Sequence, residues 1–115
     1  TYIILMHWNP LTDVHQLDEI VEISQNQPVV IFKHSTRCSI SSTALSRFER
    51  AWGATENAAF YLDLIAYRPI SLEIAEKFGI QHQSPQALVI DKGACTYSAT
   101  HWDISVDELK PYLSE

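Results

Sequence analysis

The chain has 115 residues, 46% of them hydrophobic, which is enough for one domain with its own core and too few for two. Its formal charge of −6 argues against a phosphate backbone as the main partner, because that contact needs a basic face that releases counterions, so no nucleic acid is expected. No apolar run approaches the ~20 residues that span a bilayer, no basic-then-apolar leader opens the chain, and two cysteines make no disulfide framework; a soluble, membrane-free, cytoplasmic protein is expected.

Tyr2 to Trp8 is apolar and of strand length. Val14, Leu17, Ile20 and Val21 then give a helical face, with Thr12 as the expected cap. Val29 to Phe32, introduced by Pro28, has the β-branched and aromatic content of a buried strand. Ile40, Ala44, Leu45, Phe48, Ala51 and Trp52 follow at helical spacing, so Cys38 is expected at a helix N-terminus. Ala58 to Asp63 reads as a third strand, and Arg68-Pro69 opens a helix that carries Ile70, Ile74 and Phe78 and stops at Gly79. Ala87–Ile90 and Thr96–Ala99 flank the turn residues Asp91 to Ala94, which predicts a β-hairpin. Ser105-Val106-Asp107-Glu108 has capping-box spacing and starts a last helix that Pro111 should bend or shorten. The order is βαβαβαββα over residues 1–115: a single α/β domain with a mixed central sheet and helices on both faces.

Cys38 is the chemical focus. Unpaired N–H groups and the positive end of the dipole at a helix N-terminus stabilise a thiolate, and pKa values below the free thiol's ~8.5 are common there. Lys33, His34 and Arg37 bring positive charge to this stretch of an acidic chain, which favours a thiolate and an anionic small thiol. Strand alternation separates them, however: Phe32 and His34 face one way and Lys33 the other. Arg37, on the loop, is the preferred contact, while His34 is either near the sulfur or a structural histidine. Ser41, about one turn into the helix, either donates its hydroxyl to the thiolate or caps the first turn. Cys95 reads as a packed cysteine, with a resolving role left open. Trp8, Trp52 and Trp102 read as packing residues, with Trp102 the best placed for the active face. His7, His15, His82 and His101 have no paired spacing that suits a metal, so none is expected.

The strand–Cys38–helix junction, together with Ser84-Pro85 just before the Ala87 strand, resembles thioredoxin-like proteins over nearly the whole chain. That resemblance implies a cis peptide at Pro85 facing the cysteine, with Ser84 offering backbone hydrogen bonds to an extended client segment. It also implies that Phe32 stands where dithiol thioredoxins carry a buried acidic proton acceptor. Within that superfamily, Phe32 to Ser41 with the late Trp102-Asp103-Ile104-Ser105 is similar to the monothiol bacilliredoxin family, which is associated with bacillithiol. The family motif typically reads Thr-Cys-Pro-Ile-Ser; this chain keeps Cys38, Ile40 and Ser41 and has Arg37 and Ser39 where Thr and Pro are usual.

A Cys-x-x-Ser protein has no adjacent thiol with which to resolve its own mixed disulfide, so an external thiol or a distant cysteine must do it. The expected activity is removal of a low-molecular-weight thiol, bacillithiol or similar, from modified client proteins. Cys38 and Ser41 are the catalytic candidates, Arg37, Ser39, Ser84 and Pro85 the substrate-binding ones, and Lys33 and His34 the possible tuners of the thiol. The small thiol is a co-substrate, and no bound cofactor is expected. The alternatives are a non-catalytic redox sensor or interaction domain of the same fold, and a monothiol carrier that bridges an iron-sulfur cluster between two chains.

Overall fold

Val29–His34 (β2) is buried along its whole length, as a strand covered on both faces must be, and its alternation divides the core in two. A computed structural model describes residues 6–53 and 55–114. In it β2 lies at the centre of a five-stranded sheet with Asn9–Pro10 (β1), Ala59–Asp63 (β3), Gln86–Asp91 (β4) and Ala94–Thr100 (β5), in the order β1-β3-β2-β4-β5. The β1–β3 and β2–β3 pairs are parallel, while β2–β4 and β4–β5 are antiparallel. The helices are Gln16–Ile23 (α1), Ser39–Trp52 (α2), Arg68–Phe78 (α3) and Val106–Leu109 (α4).

Even-numbered Val30 and Phe32 pack with Ala44, Phe48 and Trp52 of α2 and with Val106 and Leu109 of α4. Odd-numbered Val29 and Ile31 pack with Leu17 and Ile20 of α1 and with Ile70 and Ile74 of α3. Each face of the sheet therefore carries two helices, the layering expected of a doubly covered α/β sheet. Ala51 is exposed, so the apolar stripe of α2 is narrower than its spacing suggested, and Ser41 occupies the stripe's first turn.

The first strand departs from expectation. Tyr2 to Leu5 lie outside the described residues; among the described ones Met6 to Trp8 are not in a strand, and Asn9 and Pro10 pair with Phe60 and Tyr61. Pro10 is accommodated because β1 is an edge. The cap of α1 moves as well. Asp13, not Thr12, accepts a backbone bond, from His15 N–H at 2.8 Å, and the Gln16 side chain accepts from the N–H groups of Thr12 and Asp13 at 2.8 and 2.9 Å. The capping box expected at Ser105 does not form, since Ser105 makes no side-chain cap bond and Glu108 instead accepts from the Tyr97 hydroxyl at 3.4 Å. As Pro111 required, α4 is short and gives way to a 3₁₀ turn over Lys110–Tyr112.

The turn residues behave as their chemistry demands. Lys92 and Gly93 both have positive φ, 50° and 79°, the geometry of a two-residue hairpin turn. Gly79 closes α3 at φ 65°, ψ 32°, with its N–H on the Ala75 carbonyl. A Cβ added there meets nothing within 4 Å, so only the backbone objects. Gly79→Ala is expected to lower stability by about 1 kcal/mol, read as a lower urea midpoint at unchanged m-value; an unchanged midpoint would contradict the left-handed cap.

Candidate active site

The junction between β2 and α2 is built from short polar residues. Cys38 is the N-cap of α2, extended at φ −117° and ψ 122°, and partly exposed. Its carbonyl accepts the first helical bond from Ser42 N–H at 3.0 Å, and its N–H donates to the Ser35 carbonyl at 3.2 Å. The first N–H groups of a helix have no intrahelical acceptor, and no acidic side chain occupies this first turn to compete for them. Thr36, Arg37 and Ser39 are exposed around the sulfur's residue.

Ser41 is fully buried, and its hydroxyl is committed below the helix. Oγ accepts from Ser35 N–H at 2.9 Å and pairs with His34 Nδ1 at 2.7 Å. Its partners are thus the loop and the strand, and Cys38 makes no side-chain cap bond. His34 stacks obliquely on Tyr61 at 5.7 Å and lies opposite Asp63 in the parallel register. Burial pushes the His34 pKa down, against upward pulls from Asp63, from the Ser41 backbone and from Glu49. Phe32, one alternation back, sits in an aromatic cluster with Phe48 at 5.2 Å and Trp8 at 6.0 Å.

Lys33 points to the opposite face. It has no exposed surface, and its Nζ donates to the Ser71 carbonyl at 3.1 Å and to His82 Nδ1 at 3.3 Å. Burial pushes its pKa down to about 8. Its neighbours are α3 and the segment before Pro85, whereas His34 and Ser41 lie on the α2 side, the separation that strand alternation implies.

The Ser84-Pro85 peptide is cis. Gln86, which opens β4, pairs with Lys33 next to the last residue of β2, so Ser84 and Pro85 come just before β4 at the end of the sheet where β2 finishes. Both therefore lie at the sheet end that carries Cys38. The Pro85 carbonyl accepts from His101 N–H at 3.1 Å, which ties the 3₁₀ turn His101–Asp103 to this end and leaves Trp102 58% exposed beside it.

Cys95 is at the other end. Ile90 pairs with both Val29 and Cys95, so Cys95 lies level with the start of β2, while Cys38 follows its end. The strand from Val29 to His34 alone separates them by roughly 17 Å at about 3.3 Å per residue, far beyond the ~7 Å Cα separation a disulfide tolerates. Burial also pushes the Cys95 thiol up, and its Sγ donates to the Tyr97 carbonyl at 3.3 Å. Among the described residues no cluster of three or more His, Cys, Asp or Glu side chains is placed to hold a metal.

A family model for monothiol bacilliredoxin BrxC matches residues 9–109. The chain belongs to the monothiol bacilliredoxin family. A solved structure proposed to be an oxidoreductase with a thioredoxin fold is 30% identical to it over 90% of each chain, with a TM-score of 0.80. Oxidised thioredoxin from Plasmodium falciparum is 20% identical over 94% of this chain and 100% of its own, TM-score 0.70. Thioredoxin from Schistosoma mansoni is 18% identical over 92% of both, TM-score 0.69; these two likenesses speak for the fold alone. The bacilliredoxin chain thus has a thioredoxin fold and belongs to the thiol-disulfide oxidoreductases in the broad sense. No helix among its described residues is long and apolar enough to cross a membrane.

Ser71, His82, Gln86 and His101 were invisible as site neighbours in the sequence. Ser71 had one signal, its place beside Ile70 on the buried stripe of α3. His82 is also held below its ordinary pKa, by burial and by the charges of Lys33 and Arg68. Because the native chain holds both His34 and His82 neutral, their stabilising contribution is complete above the unfolded value of about 6.5 and is lost as pH falls through the lower native values. The urea midpoint is therefore expected to drop between pH 7 and pH 5, with a shallower drop in His82→Asn; a flat wild-type profile would contradict both assignments.

Proposed function

We propose that this chain removes a low-molecular-weight thiol, bacillithiol, from protein mixed disulfides, with Cys38 as the only sulfur that reacts. The observation that carries this is the placement of the two cysteines. Cys38 is partly exposed at a helix N-cap, Ser41 holds the place of a second motif cysteine, and Cys95 lies at the far end of the sheet. Membership of the monothiol family supports the same reading.

In the first step the Cys38 thiolate attacks the small thiol's sulfur in the client's mixed disulfide. That S–S bond breaks, the client thiolate leaves and takes a proton from solvent, and a new disulfide joins Cys38 to the small thiol. In the second step an external thiolate attacks the small-thiol sulfur, forms a free disulfide with it and returns the Cys38 thiolate. Each step exchanges one disulfide for another, so no net oxidant is consumed. The internal attack available to a dithiol protein is absent because Ser41 forms no disulfide.

Arg37 and Ser39 flank the sulfur and are assigned to the small thiol, with the exposed guanidinium as the anion contact. Ser84 and Pro85 are assigned to the client backbone by β-pairing. His34 acts through Ser41 in this scheme, by holding its hydroxyl in the first turn of α2. The partners are thiol-modified clients of the cytoplasm and the small thiol itself, with no bound cofactor, no nucleic acid and no membrane.

The test is to incubate the protein with a client carrying a bacillithiol adduct and read intact masses. The expected result is loss of the adduct from the client and its gain by this chain, faster than from glutathione or coenzyme A adducts. No transfer from any adduct overturns the enzymatic reading, and equal transfer from all three overturns the preference for bacillithiol.

A further inference from the structure

Residues 80–84, which deliver Ser84 and Pro85 to the thiol end of the sheet, have no regular structure of their own. Three buried polar side chains hold them from beneath. Lys33 donates to His82 Nδ1 at 3.3 Å while also bonding the Ser71 carbonyl at 3.1 Å. Ser71 Oγ, fully buried in the first turn of α3, reaches the same Nδ1 at 3.0 Å. Gln86, the cross-strand partner of Lys33 on the same sheet face, donates from Nε2 to the Gln81 carbonyl at 3.1 Å.

An ammonium only donates, so Nδ1 of His82 must present its lone pair and the imidazole is the neutral tautomer with its proton on Nε2. Two donors from different elements, β2 and α3, converge on that one acceptor. Among the described residues Lys33 forms no ion pair with a carboxylate. A fully buried lysine without a carboxylate costs stability rather than adding it, so packing alone does not account for it.

We propose that Lys33, Ser71 and His82 form a clamp that fixes segment 80–84, and with it the Ser84-Pro85 edge, beside the thiol, so that Lys33 and His82 are positioning residues for docking of the client chain. The proposal rests on the thiol-exchange function inferred above. It separates two properties that one site usually joins. Docking depends on the clamp, whereas the intrinsic reactivity of Cys38 depends on the β2–α2 junction, which lies on the other face of the sheet.

The experiment compares wild type, His82→Leu, His82→Asn and Lys33→Met in three measurements: KM and kcat for transfer from a bacillithiol-modified client, alkylation of Cys38 by iodoacetamide, and amide hydrogen exchange of residues 80–84. Asparagine keeps an acceptor near the Nδ1 position; leucine and methionine remove one side of the contact. For His82→Leu and Lys33→Met the expected result is a KM raised about tenfold, kcat and alkylation within about twofold, and faster exchange in 80–84, with His82→Asn restoring most of the loss. Unchanged KM and exchange in His82→Leu would overturn the clamp, as would equal impairment of His82→Asn and His82→Leu, which would point to ring bulk. Should wild type transfer nothing, the functional reading fails while the exchange data still decide whether the clamp exists.

Discussion

Cys38→Ser is expected to lower adduct transfer by at least about a thousandfold, because a serine hydroxyl at neutral pH has neither the thiolate's charge nor its capacity to form a disulfide. Cys95→Ser is expected to transfer within about twofold of wild type, since roughly 17 Å of strand separates Cys95 from the end of β2 that leads to Cys38. Intact-mass spectra of wild type and both variants, taken with the same modified client, check the pair together. The wild-type and Cys95→Ser chains should each gain one small-thiol adduct and Cys38→Ser none. A Cys38–Cys95 disulfide accumulating in wild type would overturn the monothiol cycle, and an adduct on Cys38→Ser would move the nucleophile to Cys95. The outcome for Cys95 follows from sheet register rather than from reactivity: even a reactive thiol there has no path to the mixed disulfide within one domain.

Lys33→Met is expected to raise stability at pH 7 by about 1–3 kcal/mol while impairing client docking. Burial holds the native Lys33 pKa at about 8 against an ordinary value of 10.5. The depression corresponds to at most about 3 kcal/mol, and local relaxation around the charge reduces it. Between those two pH values the unfolded chain binds the proton and the native chain does not, so this residue makes stability rise with pH across that interval. Below about 8 its penalty is constant. Burial also pushes the Tyr61 and Tyr97 hydroxyls up, which adds a slope of opposite direction near the top of the range. The informative quantity is therefore the difference between wild-type and Lys33→Met urea midpoints from pH 7 to pH 10, which should narrow as pH rises. Methionine leaves no orphan behind it, since His82 Nδ1 keeps the Ser71 hydroxyl. A less stable Lys33→Met at pH 7 would show that the ammonium's two hydrogen bonds outweigh its desolvation. A more stable variant that docks clients poorly is the trade expected where a site rather than the core dictates a buried charge.

Several features of this protein were legible because they depend on neighbours in the chain. Val29 to Phe32 had to be a buried strand, Gly79 had to end a helix in the left-handed region, and Cys38 had to meet the start of α2, each from local spacing and backbone preference. Family resemblance supplied the thioredoxin fold and the cis Pro85, which propensity alone would have left trans. Among the described residues the first strand pairing falls on Asn9 and Pro10 rather than on Met6 to Trp8, because it is set by Phe60 and Tyr61, an attraction no local pattern records. Ser105 failed as a capping box because Tyr97, from another element, claims Glu108.

The strand period by itself determined that Lys33 and His34 part to opposite faces. Where each then binds was decided only by the tertiary structure, because the partners come from elsewhere in the chain: Ser41 for His34, and Ser71 with His82 for Lys33. In the same way the sequence presents two cysteines as possible partners, and the register of β4 against β2 and β5 sets them at opposite ends of the sheet. Hydrophobic periodicity is a local property that acts at every position of an element. A polar contact between distant residues is set by register, which exists only once the strands have paired.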